Sequence, residues 1–236
     1  MTNNGTVFIG IDLGTSTWRK STGLAYLVEK NGMPWIEKSP GHVISDDALI
    51  HSFVKQVSEE YRSMIIAIDA PLSKPEHGTM RECEMRLRKH GIACYPSGAD
   101  WVSKWVDKGI DLKEWAENEF GAKVIEAYPY ASRRVLGIGA DVKKKAEKGR
   151  RIIRDGLVGL IGGLDDITKD GLLSDDELDA VLSAYTAYCE GIGIAVKIDG
   201  TDGVIYLPGK RKNHSIYEYF SEQGNISKHP QTRQSI

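Results

Sequence analysis

The alternation of apolar and polar positions predicts short strands early in the chain and helices later. Short apolar runs bounded by turn residues stand at residues 7–11, 23–28 and 34–37. Apolar residues at helical spacing follow at 46–61, and an almost continuous apolar run at 63–68 ends in Asp69-Ala70-Pro71. Such a run is typical of a buried central strand that stops at a proline.

The second half of the chain is predicted to be mainly helical. Helical segments are expected around residues 80–90, 100–120, 141–161 and 174–190. A short strand at 123–125, which ends in Glu126, interrupts them, and a hairpin-like segment at 195–207 follows them.

These elements predict an α/β fold with a mixed five-stranded sheet flanked by helices. Connections of hairpin length suit antiparallel neighbours, and connections that contain helices suit parallel ones. The first strand is therefore expected at the centre, with the second and third antiparallel on one side and the strands that end at Asp69 and Glu126 on the other. We expect a single domain over residues 1–236, with a helical insertion around 75–120 and a polar C-terminal tail from about 221.

Composition and charge narrow the classes of function. The 236 residues carry 31 Lys and Arg against 33 Asp and Glu, and this formal net charge of -2 argues against a broadly basic nucleic-acid coat protein. No stretch approaches the ~20 apolar residues of a membrane span, and the first six residues lack the regions of a signal peptide. We therefore expect a cytoplasmic protein without a membrane partner, in which Cys83, Cys94 and Cys189 are reduced.

Three of the predicted strands end in a carboxylate, namely Asp12, Asp69 and Glu126. In α/β sheets the functional crevice lies outside the carboxyl ends of the strands, so these acids converge if the strands are neighbours. Each acid alone is also explained as a cap for a turn. Three of them together favour a functional site.

A second group of acids lies at the start of the late helix. Ser174 followed by Glu177 is the pattern of a capping box, so the helix is expected to begin there. Asp176 and Asp179 are three residues apart and project along one flank of the helix. Acids in a first turn commonly complement the helix dipole, but Asp179 lies beyond the first turn and is therefore a candidate for chemistry.

Short motifs at these positions resemble known proteins. The segment Gly10-Ile11-Asp12-Leu13-Gly14 resembles the first strand of the RNase H-like superfamily, which contains nucleases as well as actin-like sugar kinases and chaperones. Further motifs follow in order: Ile68-Asp69-Ala70-Pro71, Arg81-Glu82-Cys83-Glu84, Glu126-Ala127-Tyr128-Pro129 and Asp176-Glu177-Leu178-Asp179-Ala180. Together they resemble an uncharacterised bacterial and archaeal family of predicted RNase H-fold nucleases, in the Holliday-junction-resolvase-like branch of the superfamily.

The resemblance implies a metal-dependent nuclease that hydrolyses the phosphodiester bonds of DNA or RNA. Asp12, Asp69 and Asp179 would hold one or two Mg²⁺ or Mn²⁺ ions. Asp176 or Glu126 would assist catalysis. The second strand-end acid, Asp69, stands where classical RNase H sites commonly have Glu.

Basic residues are the candidate contacts for the backbone of such a substrate. Arg81 and Arg88 lie on a predicted helix near the Asp69 loop. Residues 143–154 hold seven basic residues in twelve, and the candidate contacts there are Lys148, Arg150, Arg151 and Arg154. A polyanion beside a carboxylate-rich centre needs a basic surface, although a solvated helix face explains the same run.

Three other functions stay open at this point. An actin-like kinase would use the Gly14 turn to bind phosphate, but that fold needs two such domains. Residues 166–177 fit much of a calcium-binding EF-hand loop, although an Asp-Gly turn before a Ser cap explains the same residues. A non-catalytic nucleic-acid-binding module would use the basic run and the tryptophans Trp101, Trp105 and Trp115, whose spacing favours packing instead.

Overall fold

The computed structural model describes residues 3–14, 21–44, 46–169 and 171–209. Its strands are β1 (Asn3–Asp12), β2 (Ser21–Lys30), β3 (Met33–Trp35), β4 (Gly41–Ile44), β5 (Tyr61–Ile68), β6 (Lys123–Ala127), β7 (Val196–Gly200) and β8 (Gly203–Leu207). Its helices are α1 (Asp47–Ser58), α2 (Glu82–Lys89), α3 (Ser103–Phe120), α4 (Pro129–Leu136), α5 (Glu147–Val158), α6 (Leu164–Ile167) and α7 (Asp175–Gly191). The polar tail expected from about residue 221 lies outside the described residues.

The described strands form one mixed sheet in which β1 has a central place. The order is β3-β2-β1-β5-β6-β8-β7, and β4 also pairs with β2. β2 runs antiparallel to β1, whereas β5 runs parallel to β1 and β6 runs parallel to β5. The predicted α/β architecture, a mixed sheet flanked by helices, is confirmed.

The sheet is larger than the five strands expected from the sequence. β4 adds to β2 in antiparallel orientation, and the hairpin predicted at 195–207 forms β7 and β8. β8 pairs in parallel with β6, with Ile205 opposite Glu126. The hairpin thereby covers the edge of β6, and a short strand, β7, takes the edge position, which lowers the risk of pairing with other chains.

Helix α7 lies directly on the sheet because the strands beneath it carry glycine. A Cβ at Gly10 on β1 would come within 2.0 Å of the Ala180 carbonyl oxygen. A Cβ at Gly23 on β2 would come within 2.1 Å of the Asp176 carbonyl oxygen. Neither strand position therefore accepts a side chain unless the helix moves away from the sheet.

Helix α7 is buried on all sides, whereas its sequence predicts a single apolar stripe. The stripe consists of Leu178, Val181, Leu182, Tyr185 and Cys189, and all of them are buried as expected. Every other residue between 178 and 189 is buried too, because α4 and α5 also pack on this helix. A helix that is covered all round is a central element of the core.

A second layer of helices packs on the opposite face of the sheet. Val7, Ile9 and Ile11 of β1 contribute to a core shared with α1 and α3, whereas Phe8 contributes to the core around α7. Side chains that alternate along a strand point to opposite faces, so β1 is buried on both sides.

None of the described helices is long and apolar enough to cross a bilayer.

Helix α5 begins at Glu147 rather than at residue 141. The preceding residues form turns, in which the Ala146 amide donates to the Lys143 carbonyl oxygen at 3.0 Å. Gly149 permits this arrangement, since a Cβ there would lie 2.2 Å from the same carbonyl oxygen. The lysines at 143–145 therefore belong to a loop that packs against α5 and not to the helix itself.

Candidate metal centre and its cleft

Three aspartates from separate elements converge at the carboxyl end of the central strands. Asp12 is the last residue of β1, Asp69 directly follows β5, and Asp179 lies beyond the first turn of α7. One carboxylate oxygen of each lies within 4.8 Å of the other two. Across the described ranges, no other trio of His, Cys, Asp or Glu side chains comes this close.

The backbone explains why these side chains meet. β1 and β5 pair in parallel as far as Ile11 and Ile68, and the Asp69 amide donates to the Ile11 carbonyl oxygen at 2.8 Å. The two strands therefore end side by side at the same edge of the sheet. Asp179 reaches this edge because the glycines of β1 and β2 let α7 lie close to the strands.

This set of oxygen ligands suits a hard divalent cation. Mg²⁺ binds oxygens at about 2.1 Å in octahedral geometry, so two ligands of one ion lie about 3 to 4 Å apart. The spacing of the three aspartates, at most 4.8 Å, is close to this range, and small side-chain rotations would bring their oxygens onto one ion. Asp12 is fully buried and Asp179 nearly so, and their mutual repulsion favours a bound cation.

Lys144 brings a positive charge to this cluster. Its ammonium group forms an ion pair with the Asp179 carboxylate, and the two side chains are 27% and 6% exposed. The sequence analysis includes Lys144 in the basic run 143–154 but does not predict its contact with Asp179, because a helix over 141–161 would place it on a continuous basic face. The signal that identifies it is Gly149, since a glycine inside a helix often marks the close approach of another segment.

Two members of the cluster, Asp69 and Asp179, line a cleft of about 850 Å³. Asp69, Asp175, Asp176 and Asp179 provide the acidic side chains that line it. The aromatic lining consists of Tyr95, Trp105, Tyr128 and Tyr130, and the basic lining of Arg133, Lys144 and Lys145. The cleft thus combines acidic, aromatic and basic surfaces. Trp105 and Tyr128 stand in segments that the sequence analysis singled out, whereas Tyr95 and Tyr130 do not.

Tyr128 stands at the boundary between the acidic and aromatic surfaces. Burial and the neighbouring charge of Asp69 raise the pKa of Tyr128 well above its ordinary value, so its phenol stays protonated. The hydroxyl group donates a hydrogen bond to the Ala93 carbonyl oxygen. Tyr128 therefore fixes the loop that carries Tyr95.

Glu126 was expected to assist catalysis, but the structure does not bring it into the cluster. Arg81 donates hydrogen bonds to both of its carboxylate oxygens, at 2.7 Å and 2.6 Å, and the Leu72 amide donates to it at 2.8 Å. Burial raises the pKa of Glu126, and the hydrogen bonds from Arg81 oppose that change. Because Leu72 belongs to the loop that follows Asp69, Glu126 holds this loop in place through a direct hydrogen bond from the Leu72 amide.

Arg81 is also placed differently from the substrate contact expected for it. Its side chain is 1% exposed, and it bonds Glu84 and Ser73 as well as Glu126. Burial alone would lower the pKa of Arg81, but the charge of Glu126 raises it well above its ordinary value. A guanidinium that is fully engaged inside the protein does not reach a substrate phosphate. Arg88, by contrast, is exposed on α2 and contacts the sulfur of Met80 at 2.9 Å.

Two of the expected contacts on α5 serve internal packing. Arg154 donates to the Thr168 hydroxyl at 2.7 Å and forms an ion pair with Asp165, so it joins α5 to α6. Arg150 donates to the Lys145 carbonyl oxygen at 2.7 Å and so fixes the preceding loop. Both guanidinium groups therefore bind other parts of the protein, whereas a phosphate-binding strip would present them to a substrate.

The other two expected contacts on α5 face solvent. Arg151 pairs with Glu147 one turn earlier at 2.8 Å, and Lys148 is exposed. Neither residue lines the cleft, whose basic lining includes Lys144 and Lys145 from the loop before this helix. The basic run therefore has two parts. The loop before α5 contributes Lys144 and Lys145 to the lining of the cleft, whereas the basic side chains of α5 do not line it.

The acidic residues around the start of α7 include Asp176 and the residues that fit an EF-hand loop in the sequence. Asp176 lines the cleft and accepts a hydrogen bond from the Ser21 hydroxyl. Glu177, which an EF-hand would use as its last ligand, instead accepts from the Ser174 amide at 2.7 Å in the predicted capping box. Asp166 pairs with Lys169 at 2.6 Å, and Asp170 lies outside the described residues. Among the described residues, these contacts are those of a capped helix start.

Comparisons with known proteins find likeness at the level of structure. No protein-family model and no curated protein matches the chain. Thermus thermophilus RuvC in complex with a Holliday junction substrate is similar with a TM-score of 0.48 and 14% identity, over 84% of this chain and 99% of that one. A second Thermus thermophilus RuvC structure has a TM-score of 0.46 and 15% identity over the same shares of the two chains.

Proposed function

We propose that this protein is a metal-dependent nuclease that hydrolyses the phosphodiester bonds of nucleic acids. The observation that carries the proposal is the convergence of Asp12, Asp69 and Asp179 within 4.8 Å, beside a cleft with basic lining. One or two Mg²⁺ or Mn²⁺ ions bound there would activate a water molecule and stabilise the leaving oxygen of an in-line displacement.

The protein's own side chains divide the remaining tasks. Asp12 and Asp179, fixed on β1 and α7, form the buried part of the metal site, and Asp69 is its more exposed ligand. Asp176, on the same flank of α7 as Asp179, can accept a proton at the surface of the cleft. Glu126 acts on the site only through the loop that carries Asp69.

The basic side chains of the cleft offset the repulsion between its carboxylates and a polyanion. Lys144 and Lys145 stand on the loop before α5 and supply positive charge beside the acids. Contacts of this kind bind backbone phosphates without reading bases. We therefore expect weak sequence selectivity and an affinity that depends strongly on salt.

Cleavage assays on matched substrates test the proposed activity. The protein is incubated with Mg²⁺, Mn²⁺ or EDTA and with single-stranded DNA, duplex DNA, a four-way DNA junction or RNA. We expect metal-dependent cleavage of at least one substrate. In Asp12→Asn and Asp179→Asn the rate should fall by more than the roughly 10- to 100-fold that loss of an outer-shell partner costs.

The matched control is Asp111→Asn, which changes an exposed acid of α3 that does not line the cleft. This variant should cleave at the wild-type rate. Cleavage that continues in EDTA, or that is unchanged in Asp12→Asn, would contradict the proposal.

A further inference from the structure

Two large exposed aromatic side chains neighbour each other, Tyr95 in the lining of the cleft and Trp101 beside it. Tyr95 is 51% exposed and Trp101 is 59% exposed, and their ring centroids lie 5.4 Å apart with the planes at 87°. Aromatic rings bury large apolar areas when they pack inside a protein, so two neighbouring exposed rings mark a surface for a partner. Trp115, the other tryptophan of this segment, stacks on His51 instead and so has an internal role.

The aromatic pair is joined to the candidate metal centre. Tyr95 lines the same cleft as Asp69 and Asp179, and its ring lies 6.3 Å from that of Trp105. The Trp105 indole nitrogen donates to the Leu13 carbonyl oxygen at 2.9 Å. Leu13 directly follows Asp12, so the aromatic surface and the strand that carries the central carboxylate form one connected unit.

The loop that presents Tyr95 is held from several directions. The Cys94 thiol donates to the Glu84 carbonyl oxygen at 3.4 Å, and the Ser97 amide donates to the Glu84 carboxylate at 3.4 Å. The Gly98 amide donates to the Thr79 carbonyl oxygen at 2.9 Å. A loop fixed in this way loses little backbone freedom when a ligand stacks on Tyr95.

We infer that Tyr95 and Trp101 form a stacking site for an unpaired nucleobase and that the protein takes a single-stranded or locally unpaired nucleic acid as its substrate. The inference rests on the proposed nuclease function and names its substrate class. Bases inside a duplex have both faces covered by their neighbours, whereas an unpaired base offers a face to an aromatic ring. Lys144 and Lys145 across the cleft provide positive charge for the phosphates of the same strand.

Binding to oligonucleotides with and without bases tests this inference directly. The full chain is titrated in Ca²⁺ against fluorescent oligo(dT), against an abasic oligonucleotide of the same length and against a blunt duplex. Gels run afterwards check that the oligonucleotides are intact. Wild-type protein should bind oligo(dT) at least about 5-fold more tightly than the abasic strand, the lower limit expected from stacking of one base.

Variants assign that preference to the aromatic pair. Tyr95→Ala with Trp101→Ala should remove the preference for oligo(dT) while the affinity for the abasic strand stays unchanged. Tyr95→Phe with Trp101→Phe keeps both rings and should retain the preference. Both variants change exposed side chains, and their melting curves should match the wild-type curve.

Three outcomes would overturn the inference. They are an equal affinity of wild-type protein for oligo(dT) and the abasic strand, a preference that survives in the double alanine variant, and tighter binding of the duplex than of the single strand. The test does not depend on cleavage. If the protein binds bases through this pair but never cleaves, the stacking site stands and the nuclease proposal fails. If it cleaves but shows no preference for bases, the nuclease proposal stands and the stacking site fails.

Discussion

Arg81 donates two hydrogen bonds to Glu126, at 2.7 Å and 2.6 Å, in a buried position beneath the loop that carries Asp69. The Leu72 amide of that loop also donates to Glu126. Glu126 therefore serves as the fixed point to which both α2 and the Asp69 loop are attached. Glu126 thus contacts the Asp69 loop and Arg81, and it does not belong to the trio of aspartates.

The first prediction concerns this buried ion pair. Glu126→Gln removes one of the two buried carboxylates that pair with the Arg81 guanidinium and leaves Glu84 as the other, which should lower the free energy of unfolding by up to about 3–5 kcal/mol. Urea denaturation measures this loss. The folded variant should still bind Mn²⁺ within 10-fold of the wild-type affinity, whereas a direct ligand would lose far more. An unfolding free energy within 1 kcal/mol of the wild-type value would contradict the account.

The second prediction concerns the close contact between α7 and the sheet. Gly10→Ala places a methyl group where the Ala180 carbonyl oxygen lies 2.0 Å away, so α7 must shift and carry Asp179 with it. We expect a loss of stability of about 1–3 kcal/mol, as for an overpacked core, together with weaker Mn²⁺ binding. Gly41→Ala is the control, since a Cβ there meets nothing within 4 Å and the change should stay within about 0.5 kcal/mol. Equal stability and equal Mn²⁺ affinity of the two variants would contradict the claim that the close packing of α7 on β1 positions Asp179.

The third prediction concerns the cation beside the aspartates. Lys144→Met removes the partner of Asp179 and leaves the carboxylates to repel one another, so the metal-free protein should lose about 1.5–3 kcal/mol of stability. Mg²⁺ should then raise its melting temperature by more than it raises that of the wild type, because no ammonium group competes for the site. Lys143→Met, on the same loop but not in the cleft lining, is the control. Scanning calorimetry with and without Mg²⁺ decides the matter, and an unchanged response to Mg²⁺ in Lys144→Met would disprove the competition.

The fourth prediction separates the loop lysines from the basic face of α5. Lys145→Ala should lower the slope of log affinity against log salt by about 0.7 on single-stranded DNA, one phosphate contact. Lys148→Ala, on the exposed face of α5 and outside the cleft, should leave the slope unchanged. Titrations at several salt concentrations measure both slopes. If Lys148→Ala lowers the slope and Lys145→Ala does not, the helix face and not the cleft binds the backbone.

The sequence predicts those parts of the site that depend on strand order. Asp12 and Asp69 each end an apolar run, and parallel neighbours necessarily bring such ends to one edge. The capping box at Ser174 likewise locates the start of α7, which places Asp179 one turn later. These inferences rely on contacts within one element or between two adjacent strands.

The remaining features depend on contacts between distant segments. Glu126 ends a strand as Asp12 does, and only the fold shows that Arg81, 45 residues away along the chain, occupies its carboxylate. Lys144 reaches Asp179 because the chain turns before α5, and apolar periodicity does not locate that boundary. A carboxylate that binds a metal and one that binds a buried arginine have the same local sequence pattern.

The central claim, that Asp12, Asp69 and Asp179 hold a divalent metal, is tested most directly by a calorimetric titration of metal-free protein with Mn²⁺. The wild type should bind one or two ions. Asp12→Asn should lose this binding, while its metal-free melting temperature equals or exceeds that of the wild type, because one of three repelling charges is gone. Wild-type Mn²⁺ affinity in Asp12→Asn, or a marked fall in its metal-free melting temperature, would contradict the claim and assign Asp12 a structural role.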